Sequence, residues 1–480
     1  MRTRAVRHGR KWGKAVVIGG GYAGLVTARV LADHFSEVVV LEQDPLDEHR
    51  GTHPHVPQGY HAHAMLAKGA EVLEKFFPGL RTEMQEIGAP VFDYGEHISF
   101  LLPAGFAPRH RTGVKIQTFT RDELERRLRD KVLALPEVTF LPSTRCDGLK
   151  MSGPGKVNRV LYRTEGAEQL TELEADLVVN TSGRASALDN WLSEMGLSVP
   201  EKRLVKAKIT YTSVNIARSE KSRPEFNIAY QMTFAPHVPR GGVVLAVERN
   251  RWMCSLFGFE EHVPPTENGA YLDFAKSLKN PRLAEQIEGR TGQEPTHRYT
   301  NVNNQWRLYH KMKEWPDRLI ALGDAVCVFN PVYGQGLTVA AMEADLLHRK
   351  LTEHRTLGAG LDGMSRGFQR AVARIVLTPW TLSSNSDLMW NPDHQPVTAR
   401  FAHWYNKHLF AVSVRDARVW SRFVRVANMV APPTVLFHPT VVAKVMSQAL
   451  SRRNRSAPSN GTGDRRVEDP HPPQDRDLQR

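Results

Sequence analysis

At 480 residues the chain is long enough to bury a large core, and its 41% hydrophobic and 24% charged residues are ordinary for a globular protein. The net charge of +13 gathers at the ends: residues 1–14 hold six cations and no acid, and residues 451–480 hold seven arginines against five acids. Those arms lack interleaved aromatics and any reader motif, so they read as solvated tails, and no nucleic-acid partner is expected.

In chain order, residues 1–13 read as a flexible basic arm. Residues 14–45 form one βαβ unit: an apolar strand Ala15–Ile18, a turn Gly19–Gly24, a helix Leu25–His34 and a Val-rich strand Glu37–Leu41. A Pro/His/Gly loop over 50–60 leads to a helix from His61 to about Phe77, stopped by Pro78-Gly79. Thr120–Leu133 is a charged amphipathic helix with Thr120 placed to cap it. Ala175–Val179 is a buried strand. From Lys206 to Phe259, alternating runs such as Ile209–Ile216 and Gly242–Glu248 predict an antiparallel sheet exposed on one face. Leu319–Leu322 returns to a buried strand and Gly336–Leu351 to a helix. Residues 365–450 are mainly helical, broken at Pro432-Pro433, with Trp380, Trp390 and Trp404 expected in the core. Ser451–Arg480 lacks apolar periodicity and is expected to be disordered.

Cys146, Cys254 and Cys327 are too few and too scattered for a disulfide framework or a zinc site, which suits a reducing cytoplasm. No run approaches the roughly 18 apolar residues of a membrane span, so the chain is not expected to be an integral membrane protein.

Two glycine-rich segments carry the chemistry. Gly19, Gly21 and Gly24 follow a strand and open a helix, the context in which a tight turn, a close backbone approach and a helix dipole receive a diphosphate. Glu42, at the end of the next strand, is placed to accept the hydroxyls of an adenosine ribose. The bare glycine pattern recurs at Gly358–Gly363, but between helices, where it reads as a loop. The second segment runs from Leu322-Gly323-Asp324-Ala325 to Asn330-Pro331-Val332-Tyr333-Gly334-Gln335-Gly336. Asp324 ends a strand, where it could hold a polyol. Gly334 and Gly336 present N–H groups at a helix start, suited to negative charge on a reduced ring. Together the segments frame a site for one FAD rather than for nicotinamide. His53, His55, His61 and His63 lack a cysteine or acid to complete a metal set and read as loop histidines, so no metal is expected.

These segments, with Thr120-Arg121-Asp122-Glu123-Leu124-Glu125 between them, resemble the FAD-dependent monooxygenases related to p-hydroxybenzoate hydroxylase and squalene epoxidase. Arg50-Gly51 with Val56-Pro57-Gln58, His61 and His63 is similar to a loop of a bacterial branch that includes polyene epoxidases of polyether-antibiotic biosynthesis. The resemblance implies an α/β fold. Its FAD-binding lobe, Rossmann-type with a parallel sheet, spans 14–85, 110–200 and 300–350. An antiparallel-sheet substrate lobe spans 86–109 and 201–299, a helical C-terminal part 351–450, and a tail 451–480. It places Glu42 on the adenosine ribose, Arg50 beside the cofactor, Arg121 at its centre and Asp324 on the ribityl chain. It implies insertion of one oxygen from O2 into a small hydrophobic substrate through a C4a-hydroperoxyflavin, by alkene epoxidation or hydroxylation. No catalytic side chain is assigned. Ser182-Gly183 departs from the aspartate-glycine pair of the aromatic hydroxylases, which leaves NAD(P)H or a partner flavin reductase as electron donor. A reductase or dehydrogenase of the geranylgeranyl-reductase kind is the alternative.

Overall fold

The computed structural model describes residues 10–46, 57–153, 155–218, 224–289, 294–300, 302–391, 393 and 395–453. The opening strand, Trp12–Ile18, is buried from Ala15 to Ile18. It is the middle of a five-stranded sheet in the order Leu319–Ala321, Leu177–Asn180, Trp12–Ile18, Phe35–Leu41, Val138–Leu141. All four pairings are parallel. Such a sheet is covered on both faces, which is why its strands read as unbroken runs such as Val38-Val39-Val40-Leu41. The helices Tyr22–Ala32, Arg121–Leu133 and Gly336–Thr356 contribute to that core.

The strand starts inside the segment read as a flexible arm. Trp12 pairs with Phe35 across the sheet, and Lys11 meets Glu137 at 2.9 Å, so ladder bonds and an ion pair fix what charge alone suggested would float. Residues 1–9 and 454–480 lie outside the described residues, while 451–453 end the helix Pro439–Arg453. The helix expected from His61 is shorter. His63–Met65 is a strand paired with Lys115–Phe119, and the helix is Ala67–Phe76. A distant pairing partner decides between the two periods there.

The second sheet has seven strands, ordered His297–Tyr299, Ile209–Ala217, Arg251–Phe259, Arg240–Val247, Ile228–Gln231, Ile98–Leu102, Gly105–Phe106. Its pairings are antiparallel except Ile228–Gln231 with Ile98–Leu102. The expected exposed face is absent from the described sheet. Tyr271, Leu283 and Ile287, from the helices Asn268–Lys276 and Pro281–Ile287, pack on Val214, Val244 and Cys254. On the other face Phe100, Leu245 and Met253 meet Phe410, Trp420 and Val424. Phe410 comes from the helix Val397–Ser413, and Trp420 and Val424 from Ala417–Ala427. The C-terminal part also holds the helices Met364–Leu388 and Pro439–Arg453, with Pro433–Phe437 a short 3-10 turn at the expected break.

Candidate cofactor and substrate site

Ile18, Asn180 and Ala321 end three adjacent parallel strands side by side, and both glycine-rich turns leave the sheet there. Gly19 turns with φ +101°, a left-handed value costly for any side chain, and its N–H donates to the Leu41 carbonyl at 2.8 Å. A methyl on Gly24 would sit 1.9 Å from the Gly19 carbonyl oxygen, so only glycine lets the helix press onto the turn. Gly21 differs. A methyl there would meet nothing within 4 Å, so this point of the turn faces open space. Glu42 is buried and accepts the Gly20 N–H at 2.6 Å and the Asp44 N–H at 2.9 Å.

The helix Tyr22–Ala32 has no side-chain cap at Gly21, whereas Thr120 caps Arg121–Leu133 by accepting the Glu123 N–H at 3.3 Å. An uncapped first turn offers N–H donors and the positive end of a dipole to an anion. The Tyr22 hydroxyl is buried in this turn without a hydrogen-bond partner, and burial holds its pKa far above the ordinary range.

A methyl on Gly323 would lie 2.9 Å from Ala23 Cβ, so the second turn abuts the first turn of that helix. Burial raises the Asp324 carboxyl above its usual range, against the opposing pull of Arg121, Arg184 and Arg307. Arg121 Nε donates to Glu125 at 2.5 Å. Further on, the loop Asn330–Gln335 ends at the helix Gly336–Thr356, which again has no side-chain cap, and methyls on Gly334 or Gly336 would meet nothing within 4 Å.

A buried network holds this loop from behind. Asn330 Nδ2 lies 3.1 Å from each oxygen of Asp387, and its Oδ1 accepts the Tyr211 hydroxyl at 2.6 Å and the Val332 N–H at 3.1 Å. Asn304 Nδ2 donates to Asp387 Oδ2 at 2.6 Å, while its Oδ1 accepts the Asn330 N–H at 2.8 Å and the Ser383 hydroxyl at 2.6 Å. The Tyr333 hydroxyl donates to Asp387 Oδ1 at 2.9 Å. Three donors thus converge on one carboxylate, which is what a buried charged acceptor requires. Burial still lifts Asp387 to about 6, with the bonds from Asn330, Tyr333 and Asn304 pulling the other way.

Against the loop opens a cavity of about 330 Å³, walled mainly by apolar side chains such as Phe100, Leu245, Phe257 and Phe410, with Gly334 and Gln335 at its loop end. His61, Ser255 and Tyr299 are among its polar points. His61 Nδ1 lies 2.7 Å from Ser213 Oγ, which lies 2.6 Å from Ser255 Oγ. Burial, helped by His297, holds His61 down at about 4, and burial with Arg121 holds His63 at about 3, so both imidazoles are neutral at neutral pH.

Gly19, Gly21, Gly24 and Asp324 thus lie in the two turns at the ends of the parallel strands. Glu42 is bonded to the first turn and Arg121 acts on Asp324, while Gly334 borders the cavity and Gly336 opens the helix Gly336–Thr356. Arg50, His53 and His55 lie outside the described residues. Among the described residues no group of histidine, cysteine or acid could hold a metal ion. Ser182 turns its hydroxyl to Asn180 Oδ1 at 2.6 Å. Sequence reasoning missed Asp387, Asn304 and Arg184, for which no local motif exists. Of the three tryptophans expected in the core, Trp380 is there, Trp390 lines the cavity stacked on Phe259 at 4.1 Å, and Trp404 is exposed. The features fit FAD: open space over Gly21, two uncapped helix starts and an unpartnered Tyr22 hydroxyl suit an extended cofactor with an anionic centre and a polar ring.

A family model described as FAD binding domain matches residues 13–365. Protein Rv3254 of Mycobacterium tuberculosis is 29% identical over 404 residues, covering 82% of this chain and 83% of that protein. The flavin-dependent brominase Bmp2 superposes with a TM-score of 0.61 at 13% identity, over 92% of this chain and 99% of that one. PqsL of Pseudomonas aeruginosa gives 0.57 at 17% identity, over 82% and 99%. The tetrameric form of 2-methyl-3-hydroxypyridine-5-carboxylic acid oxygenase gives 0.56 at 18%, over 83% and 97%. At these identities the likeness to solved structures shows the fold.

Proposed function

The chain is a FAD-dependent oxidoreductase of the FAD binding domain family, and from that premise we propose that it is a monooxygenase acting on a small hydrophobic molecule. The observation that carries this reading is the apolar cavity bounded by Gly334 and Gln335, the residues that lead into the uncapped helix start at Gly336. Gly19, Gly21 and Gly24 would take the cofactor's diphosphate, Glu42 its adenosine ribose, Arg121 its central region and Asp324 its ribityl chain, with Arg50 nearby.

Bound FAD supplies two-electron redox chemistry and the activation of O2. The chain's own contribution is placement. The N–H groups at Gly334 and Gly336, with the helix dipole behind them, stabilise negative charge at the loop end of the cavity. The apolar walls orient a hydrophobic substrate and exclude water. Asn330 and Asp387 keep the loop in position from the other side. No acid or base on the protein is assigned a step. The proposed reaction is epoxidation of an alkene or hydroxylation of a natural-product intermediate, with NAD(P)H, directly or through a partner flavin reductase, as electron source.

The test is incubation of the FAD-loaded protein with NADPH, a flavin reductase and alkene or arene substrates under oxygen-18 gas. One labelled oxygen atom in the product is expected. Product that forms equally well without oxygen would replace the reading with a reductase or dehydrogenase.

A further inference from the structure

The C-terminal helices carry an apolar patch that the fold leaves open. Val397, Phe401 and Trp404 follow one another at helical spacing along Val397–Ser413 and are 79%, 58% and 37% exposed. Phe437, 53% exposed, stacks on Tyr405 with ring centroids 4.9 Å apart, and Tyr405 in turn stacks on Phe401. The aromatic patch is therefore continuous across two elements. It borders the cavity: Ala402 and Leu436, each next in sequence to a patch residue, line the cavity wall, together with the exposed Leu382.

The segment that carries it is basic. Residues 396–453 contain nine arginines and lysines against one acid, Asp416. Arg400 and Lys407 flank the stripe on its own helix, and Arg415, Arg418 and Arg425 are exposed on the neighbouring turn and helix. Aromatic and aliphatic side chains set among cations are the pattern of a surface that lies on an anionic bilayer, with rings at the headgroup level and cations on the lipid phosphates. A second copy of this chain would bring like charge against like charge. The chain's own residues 454–480 offer only Val467 and Leu478 as large aliphatic side chains, too few to cover the patch.

We propose that the face formed by Val397, Phe401, Trp404 and Phe437 docks on the surface of an anionic lipid membrane and turns the adjoining cavity mouth toward the lipid. No helix among the described residues is long and apolar enough to cross a bilayer. Docking gives a hydrophobic substrate a route from the acyl region into the cavity without passage through water.

The test is co-sedimentation of the full-length, FAD-loaded protein with vesicles of phosphatidylglycerol in phosphatidylcholine, against vesicles of phosphatidylcholine alone. Binding to the anionic vesicles at low ionic strength, weakened by salt, is expected. F401E/W404E should lower the partition coefficient by about tenfold or more, and R400E/K407E should lower it for anionic vesicles while leaving circular dichroism and flavin absorbance unchanged. Wild-type protein that stays in the supernatant, or a double variant that binds as well as wild type, would overturn the proposal. A wild-type dimer in sedimentation velocity that F401E/W404E converts to monomer would instead assign the patch to self-association. None of these readouts depends on which reaction the flavin site performs.

Discussion

Substituting Asp387 by asparagine probes how the flavin loop is held. In the folded chain this carboxylate takes three donors, from Asn330, Asn304 and Tyr333. Asparagine keeps one acceptor oxygen and sets its own N–H2 against one of those donors, a loss of about 1–3 kcal/mol for a buried unmatched pair. Opposing this, burial lifts Asp387 from 3.8 to about 6, so its ionised form costs the fold roughly 3 kcal/mol at neutral pH, and the variant removes that cost. Global stability at neutral pH should thus change little, while the loop is held less firmly. Apoprotein titrated with FAD by fluorescence should show roughly tenfold weaker binding in D387N, equivalent to about 1.4 kcal/mol. The sign with pH is fixed. The folded chain binds this proton more tightly than the unfolded chain, so stability from this group is greatest below about 4 and falls as pH rises to about 6. FAD affinity runs the other way, because protonation removes an acceptor from the loop. Wild-type affinity should decline as pH falls through about 6, and D387N should lack that step. Equal affinity and the same pH profile in both proteins would refute the loop-holding role.

Glycine variants separate packing from ligand space. G24A places its methyl 1.9 Å from a carbonyl oxygen and should cost about 1–3 kcal/mol in urea unfolding. G21A meets nothing in the protein and should unfold like wild type, yet bind FAD at least about tenfold more weakly because its methyl takes space assigned to the diphosphate. E42Q removes one of two acceptor oxygens that hold the turn, and should weaken FAD binding in the same titration. A64F, in the cavity wall, should abolish product formation with full flavin absorbance retained.

What the sequence disclosed follows how local each feature is. The opening strand, its glycine turn and the following helix are one contiguous unit, so periodicity and glycine chemistry found them, and Thr120 caps its helix as its position foretold. The helix expected from His61 failed because residues 63–65 are drawn into pairing with residues 115–119. The antiparallel sheet looked half exposed because the helices that cover it come from other parts of the chain. Asp387 carried no signal: as one acid near the end of a long helix, it gains its role only when Asn330 and Asn304 are folded against it.

An experimental structure of the full-length protein with FAD bound tests the central claim most directly. The diphosphate should lie over Gly21 at the start of Tyr22–Ala32, and the ring against Gly334–Gly336 at the loop end of the apolar cavity. FAD bound elsewhere, or with its ring turned away from that cavity, would contradict it.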